Sequence, residues 1–243
     1  TFNPYTAESQ QVFLAEALVA KYFKADGLEA EMAYAPSDKL LPYRILDKFR
    51  GADLVGLRYE QLLPYVQPMQ DADNAFQVIA GDFVTTEDGT GIVHTAPTFG
   101  ADDMQVAKAA GIPPMLIENE QGDAVPLVDL RGRFVSEVSD PVWGLGGEPV
   151  KAEYLTDEEK ESAFQSQKES LKEHIPNLSN YLSVDERISL KLKLEGKAFK
   201  VEKYQHNYPH CWRTDKPILY YPLDSWFIKS TAAKGKMIEL NKT

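Results

Sequence analysis

One cysteine, Cys211, stands in 243 residues, so no disulfide can close within the chain and no site built on several thiolates is available. A structural zinc centre takes four ligands, and His206, His210 and Cys211 offer three, so no metal site is predicted. No stretch approaches the ~20 consecutive apolar residues of a membrane-spanning helix. The N-terminal residues lack the basic-then-apolar pattern of a secretion signal. A soluble chain in a reducing, cytoplasmic setting, away from membranes, is expected. Positive charge is also scarce: 26 Lys and Arg stand against 37 Asp and Glu, a net charge of −11. That balance excludes a protein that grips nucleic acid over a broad surface, because phosphate neutralisation needs clustered Lys and Arg. Any RNA contact must be local. The basic residues between Lys191 and Lys203, with Arg213, Lys216 and Lys229, mark the better half for it.

The length allows one large domain or two small ones, without internal repeats or low-complexity linkers. After Thr6, the apolar residues Val12, Ala15, Val19, Tyr22 and Phe23 fall near helical spacing and Gly27 follows as a stop, which predicts an amphipathic helix. Between residues 76 and 97, Val78, Ile79, Phe83, Val84, Ile92 and Val93 are split by Gly81 and by Glu87-Asp88-Gly89, the pattern of strands joined by tight turns. A helix is expected from Asp102 or Asp103 as cap to Gly111, followed by a strand at residues 115–117. Thr156 with Glu159 and Ser183 with Glu186 each match the capping box that starts a helix. Alternation of Ile188, Leu190, Leu192 and Leu194 would also suit a strand, but the cap and Gly196 favour helix. Residues 204–228, rich in aromatics and prolines, read as packed extended structure.

Special residues are densest in the run GTGIVHTAPTFGADD, residues 89–103, a strand leading into a loop and a helix start. On a strand, His94 and Ile92 share a face, so an imidazole and a carboxylate from Asp102 or Asp103 approach one loop. Each residue also has a purely structural explanation. His94 reads equally as a satisfied core or surface group, an aspartate at a helix start is favoured by the helix dipole, and Gly89-Thr90-Gly91 is a turn too short to cradle a phosphate.

The same run resembles the signature of the editing domain inserted in isoleucyl-tRNA synthetases. Histidine at position 94 favours that branch over the related valyl and leucyl domains. GADLVGLRYEQLLPY, VIAGDFVTTEDGTG and YQHNYPHCWRTDKPILYYPLDSWFIKS resemble the family in the same order, so the likeness covers most of the chain. It implies a mixed α+β fold with a β-barrel-like core and flanking helices. Residues 1–243 would be one editing-domain fragment, with about 203–243 returning towards the synthetase body.

The resemblance further implies hydrolysis of valine wrongly attached to the isoleucine-accepting tRNA, by attack of water on the aminoacyl ester. Asp103 would hold the α-ammonium group, and His94 would limit side-chain size and place the water. Ala96, Phe99 and Thr95 would line the pocket, while Asp102 would cap the helix. No motif of the family's ATP site is present, so ATP and magnesium belong to the parent enzyme's synthetic site and no cofactor is expected here. The family's threonine-rich pocket strand is likewise missing and would come from the rest of the enzyme. Partners implied are the CCA end of tRNA and the remaining synthetase chain. The competing expectation is a non-catalytic module that binds the acceptor end or serves structure alone.

Overall fold

A computed structural model describes every residue except 206, 224, 227 and 243. His206, one of the three ligand-type residues weighed above, thus lies outside the described residues. In chain order the elements are helices α1 (Val19–Tyr22) and α2 (Ala101–Ala109), strands β1 (Leu116–Glu118) and β2 (Ala124–Pro126), and helices α3 (Asp157–Ser170), α4 (Val184–Leu194) and α5 (Ser230–Leu240). β1 and β2 form an open antiparallel pair in which Ile117 faces Val125. Their turn is closed by Asn119, whose side-chain oxygen accepts the N–H groups of Gln121 and Asp123. The fold is therefore mixed helix and strand, with much of the chain held by turns and isolated bridges.

Both capping boxes are formed. Thr156 accepts the Glu159 N–H and Glu159 accepts that of Thr156; Ser183 and Glu186 repeat the exchange. Four backbone donors at the starts of α3 and α4 are thereby satisfied. The alternating leucines of 188–194 are helical, as the cap predicts, and the strand on from Met115 begins one residue later, at Leu116.

Three expectations are corrected. The helix read from Thr6 shrinks to a 3₁₀ turn at Glu16–Leu18 running into α1. Residues before it are claimed by distant partners: the Ala15 N–H donates to the Thr90 carbonyl, and Phe2 bridges Ser9. The strands read between 76 and 97 reduce to a short pairing in which the Gly56 and Tyr59 N–H groups donate to Val78 and Phe76, around an Arg58–Gln77 bridge. The tail belongs to no named strand among the described residues and is only partly packed against the rest of the chain. Tyr154 donates to the Pro217 carbonyl, while Tyr204, Trp212, Trp226 and Ile228 are exposed.

The core has two clusters that share α4. Val138, Leu145 and Val184 pack with Phe134, Val135 and Ile188; Trp143, Leu171 and Leu178 pack with Phe164, Ile175 and Leu190. Polar groups cross between them. Arg187, 2% exposed, donates to the Trp143 carbonyl and makes a two-pronged pair with Glu148. Asp140, 7% exposed, accepts the Val142 and Trp143 N–H groups and the Tyr65 hydroxyl, and faces Lys191 at 3.1 Å.

Burial alone would raise the Asp140 carboxyl, but these donors outweigh it and hold the group at about 2. Because the folded value lies below the ordinary one, the stabilisation is present above about pH 4. It is lost as pH falls through about 2. Acid unfolding of Asp140→Asn should therefore show a shallower loss over that window, by about 2 kcal/mol. Equal slopes in urea titrations from pH 5 to pH 2 would contradict this.

Candidate functional site

Residues 89–103 are positioned from the N-terminal side. The Tyr22 hydroxyl donates to the Gly89 carbonyl at 2.8 Å, and the Ala15 N–H donates to Thr90 at 2.9 Å. Lys21 pairs with Asp88 at 2.5 Å, and that hydrogen bond holds the Asp88 carboxyl below its usual range. Gly89-Thr90-Gly91 is a turn, as read. At Gly91 φ is +80°, and a Cβ would come within 2.5 Å of the Ala15 Cβ. Gly91→Ala thus combines a left-handed backbone with a clash, and should cost about 1–3 kcal/mol. Adding Ala15→Gly should return the part due to the clash. Equal stability of Gly91→Ala and the unsubstituted chain in urea would contradict this packing.

From Ile92 to Thr95 the chain belongs to no helix or strand, and strand status requires a backbone ladder that it does not form. Ile92, Val93 and His94 are all exposed, whereas Thr95 and Ala96 are half-buried. The loop then turns at Pro97, where the Phe99 N–H donates to the Ala96 carbonyl. Thr98, 6% exposed, fastens the turn to the start of the next segment: its hydroxyl donates to the Met115 carbonyl and accepts the Met115 N–H.

Neither aspartate caps α2. Gly100 occupies the cap position with extended backbone, and Asp102 and Asp103 fall in the first turn. Asp102 points to solvent, where it still complements the helix dipole. Asp103 reaches back instead, and its Oδ2 accepts the Ala96 N–H at 3.0 Å. Glycine at 100 is what lets it do so, because a Cβ there would lie 2.8 Å from that oxygen. The structure therefore ties Asp103, in the first turn of α2, to the loop that holds Ala96 and Phe99, and leaves His94 on the exposed approach to it. Asp103 Oδ1 accepts none of the hydrogen bonds formed among the described residues. Asp103 is half-buried, and a carboxylate–ammonium contact is the stronger, charge-assisted kind of hydrogen bond that such an oxygen can accept.

Two residues of the site were not legible beforehand. Thr98 looked like one more loop residue; its role depends on Met115, 17 positions on. Tyr221 packs edge-on against Phe99 with ring centroids 6.1 Å apart, bringing the tail to the loop. Its only advance signal was the aromatic density of the tail.

Two cavities of about 360 Å³ among the described residues lie elsewhere, one lined by Trp143, His174 and Lys191, another by Phe13, Phe23, Tyr43 and Phe49. Of the candidate residues, His94 is exposed and Thr95, Ala96, Phe99 and Asp103 are half-buried. Among the described residues no three His, Cys, Asp or Glu side chains are placed to share a metal ion. His210 Nδ1 lies 3.0 Å from the Asp215 carbonyl, and the Cys211 thiol is lowered by hydrogen bonding to Thr214 and to the Arg213 and Thr214 backbone. No helix among the described residues is long and apolar enough to cross a membrane.

No protein-family profile matches the chain. Curated relatives do. The isoleucine–tRNA ligase of Cytophaga hutchinsonii is 60% identical over 245 aligned residues, which take in 100% of this chain and 20% of that enzyme. That of Bacteroides fragilis is 50% identical over the same span, with the same coverage. The isoleucine–tRNA ligase of Clostridium tetani is 39% identical over 199 residues, 82% of this chain and 15% of the enzyme. The chain thus spans about 20% of the length of the first relatives it matches. Identity of this order from end to end places the chain with the isoleucine–tRNA ligases, as the counterpart of one segment of such an enzyme.

Proposed function

We propose that this segment is the editing module of an isoleucyl-tRNA synthetase, which hydrolyses valine from the isoleucine-accepting tRNA in the cytoplasm. The observation that carries the reading is Asp103, folded back on Ala96 through Oδ2 while its other carboxylate oxygen accepts no hydrogen bond among the described residues. It stands within the run that resembles the editing signature. The need for such a module is physical. A pocket for isoleucine excludes the smaller valine by only about 1–3 kcal/mol, the isoleucine–valine pair being a case from which that figure is known. A second site must therefore admit valine and exclude isoleucine by size.

In this reading Asp103 Oδ1 binds the α-ammonium group and so fixes the ester carbonyl. His94, Thr95, Ala96 and Phe99 border the amino-acid side chain, with His94 setting the size limit and placing the water. The water oxygen bonds to the carbonyl carbon, the bond from that carbon to the ribose oxygen breaks, and the proton ends on the ribose hydroxyl. The loop offers no serine or cysteine as a nucleophile, and a held water suffices for an ester. Residues 1–243 form the module, and about 203–243 return towards the synthetase body. β1, β2 and the 56–59/76–78 pairing would belong to its barrel-like core, completed by the threonine-rich strand from elsewhere in the enzyme. ATP and magnesium act at the enzyme's synthetic site.

Adenosine carrying valine through a non-hydrolysable amide tests the site directly. Titrated into the chain and followed by amide resonances, it should shift residues 94–103, and the isoleucine analogue should shift them far less. Shifts confined to other regions, or equal for both, would count against the reading. A non-catalytic acceptor-end module is the second reading; the exposure of residues 92–94 favours it, and it predicts equal shifts.

A further inference from the structure

In a chain of net charge −11, residues 191–203 hold five lysines and only two glutamates. That stretch is fastened to the N-terminal segment, and the fastening puts lysines over tyrosine rings. Asn3, 1% exposed, donates to the carbonyls of Gly196 and Ala198, and the Tyr5 hydroxyl accepts the Val201 N–H. Lys193 Nζ lies 5.0 Å from the centre of the Tyr5 ring, and Lys200 Nζ 4.9 Å from that of Tyr22. Tyr22 in turn holds the Gly89 carbonyl, so the strip leads directly to the turn that opens residues 89–103.

The charges along it are partly free. Glu195 is engaged by Lys191 and Lys197, and Glu202 by Lys200, while Lys193 and Lys203 enter no ion pair among the described residues. Alternating ammonium groups and half-buried aromatic rings are the chemistry of single-stranded nucleic acid binding, in which lysines follow phosphates and bases stack on rings. A narrow strip also reconciles RNA contact with an acidic protein, since few phosphates need be neutralised.

We infer that Lys193, Lys200 and Lys203, with the rings of Tyr5 and Tyr22, form the track along which a single-stranded RNA end reaches residues 89–103. The inference rests on the editing reading for what the RNA end carries, but not for the binding itself. The probe is a fluorescent single-stranded RNA of about twelve nucleotides ending in CCA, titrated with the chain across a salt series. Neutralising the three lysines (K193Q, K200Q, K203Q) should weaken binding at least tenfold. It should also flatten the slope of log affinity on log salt by about 2, at ~0.7 per phosphate released. Neutralising Lys160, Lys168 and Lys172 instead, at and after α3, should leave both nearly unchanged, and equal melting curves would show both variants folded. No binding by the unsubstituted chain at low salt, equal losses in the two variants, or equal binding of a polyglutamate peptide would overturn the track. Asp103→Asn separates the two claims: it should reduce ester hydrolysis by the whole enzyme about 100-fold while RNA affinity of the chain stays unchanged. A track that survives while the unsubstituted whole enzyme leaves the valyl ester intact would sink the editing reading alone, and unaltered hydrolysis by Asp103→Asn would remove only the role given to that carboxylate.

Discussion

Replacing Arg187 with methionine should lower the unfolding free energy by about 3 kcal/mol, the loss expected when one partner of a buried ion pair is removed. The guanidinium is enclosed between the two core clusters, and it satisfies both Glu148 oxygens and the Trp143 carbonyl. Without it the Trp143 carbonyl and Glu148 Oε2 lose this donor, and Glu148 Oε1 keeps only the Leu145 N–H at 3.3 Å. The surroundings are built for it: at Gly144, where φ is +78°, a Cβ would lie 2.7 Å from Glu148 Oε1 and 3.0 Å from Arg187 Nη1. Adding Glu148→Leu to Arg187→Met should recover a good part of the loss, since an apolar pair often replaces a buried ion pair without penalty. Urea unfolding of the four proteins in this cycle provides the check. A single-variant loss under about 1 kcal/mol, the level of an exposed pair, would mean that the bracket does not hold the clusters together.

The second large effect concerns Asp103. Asparagine at this position keeps an oxygen for the Ala96 N–H, so the loop between Pro97 and α2 should persist with little change in stability. It removes the charge that, in the proposed reading, holds the α-ammonium group. In the whole enzyme, Asp103→Asn should reduce hydrolysis of the valyl ester by about 100-fold, the scale of losing correct placement of a reacting group. Asp103→Ala should do the same and also loosen the loop, visible as faster amide exchange at Ala96. If asparagine hydrolysed as well as aspartate, the carboxylate would be a loop fastener and nothing more.

What the sequence disclosed beforehand follows the range of the interactions involved. The starts of α3 and α4 were readable from Thr156–Glu159 and Ser183–Glu186 because each cap is settled within four residues. The helix read from Thr6 was not, because Ala15 gives its N–H to Thr90 rather than to its own turn. The same holds for Ile92 and Val93: apolar alternation announces an extended chain, but a ladder needs a second segment. Asp103 was found as a candidate from its motif. Its actual local partner, the Ala96 N–H, depended on Gly100 taking the cap position instead. Asn3, Arg187 and Tyr221 act across 193, 39 and roughly 120 positions, where no local pattern could flag them.

The central claim is tested most directly by hydrolysis of two esters on one tRNA. Valyl and isoleucyl forms of the isoleucine-accepting tRNA would be incubated with a full-length synthetase carrying this sequence, and with its Asp103→Asn variant. The account predicts rapid release of valine, sparing of isoleucine, and loss of valine release in the variant. Persistence of both esters with the unsubstituted enzyme, while the CCA end still binds, would contradict it and leave an acceptor-end binding module in its place.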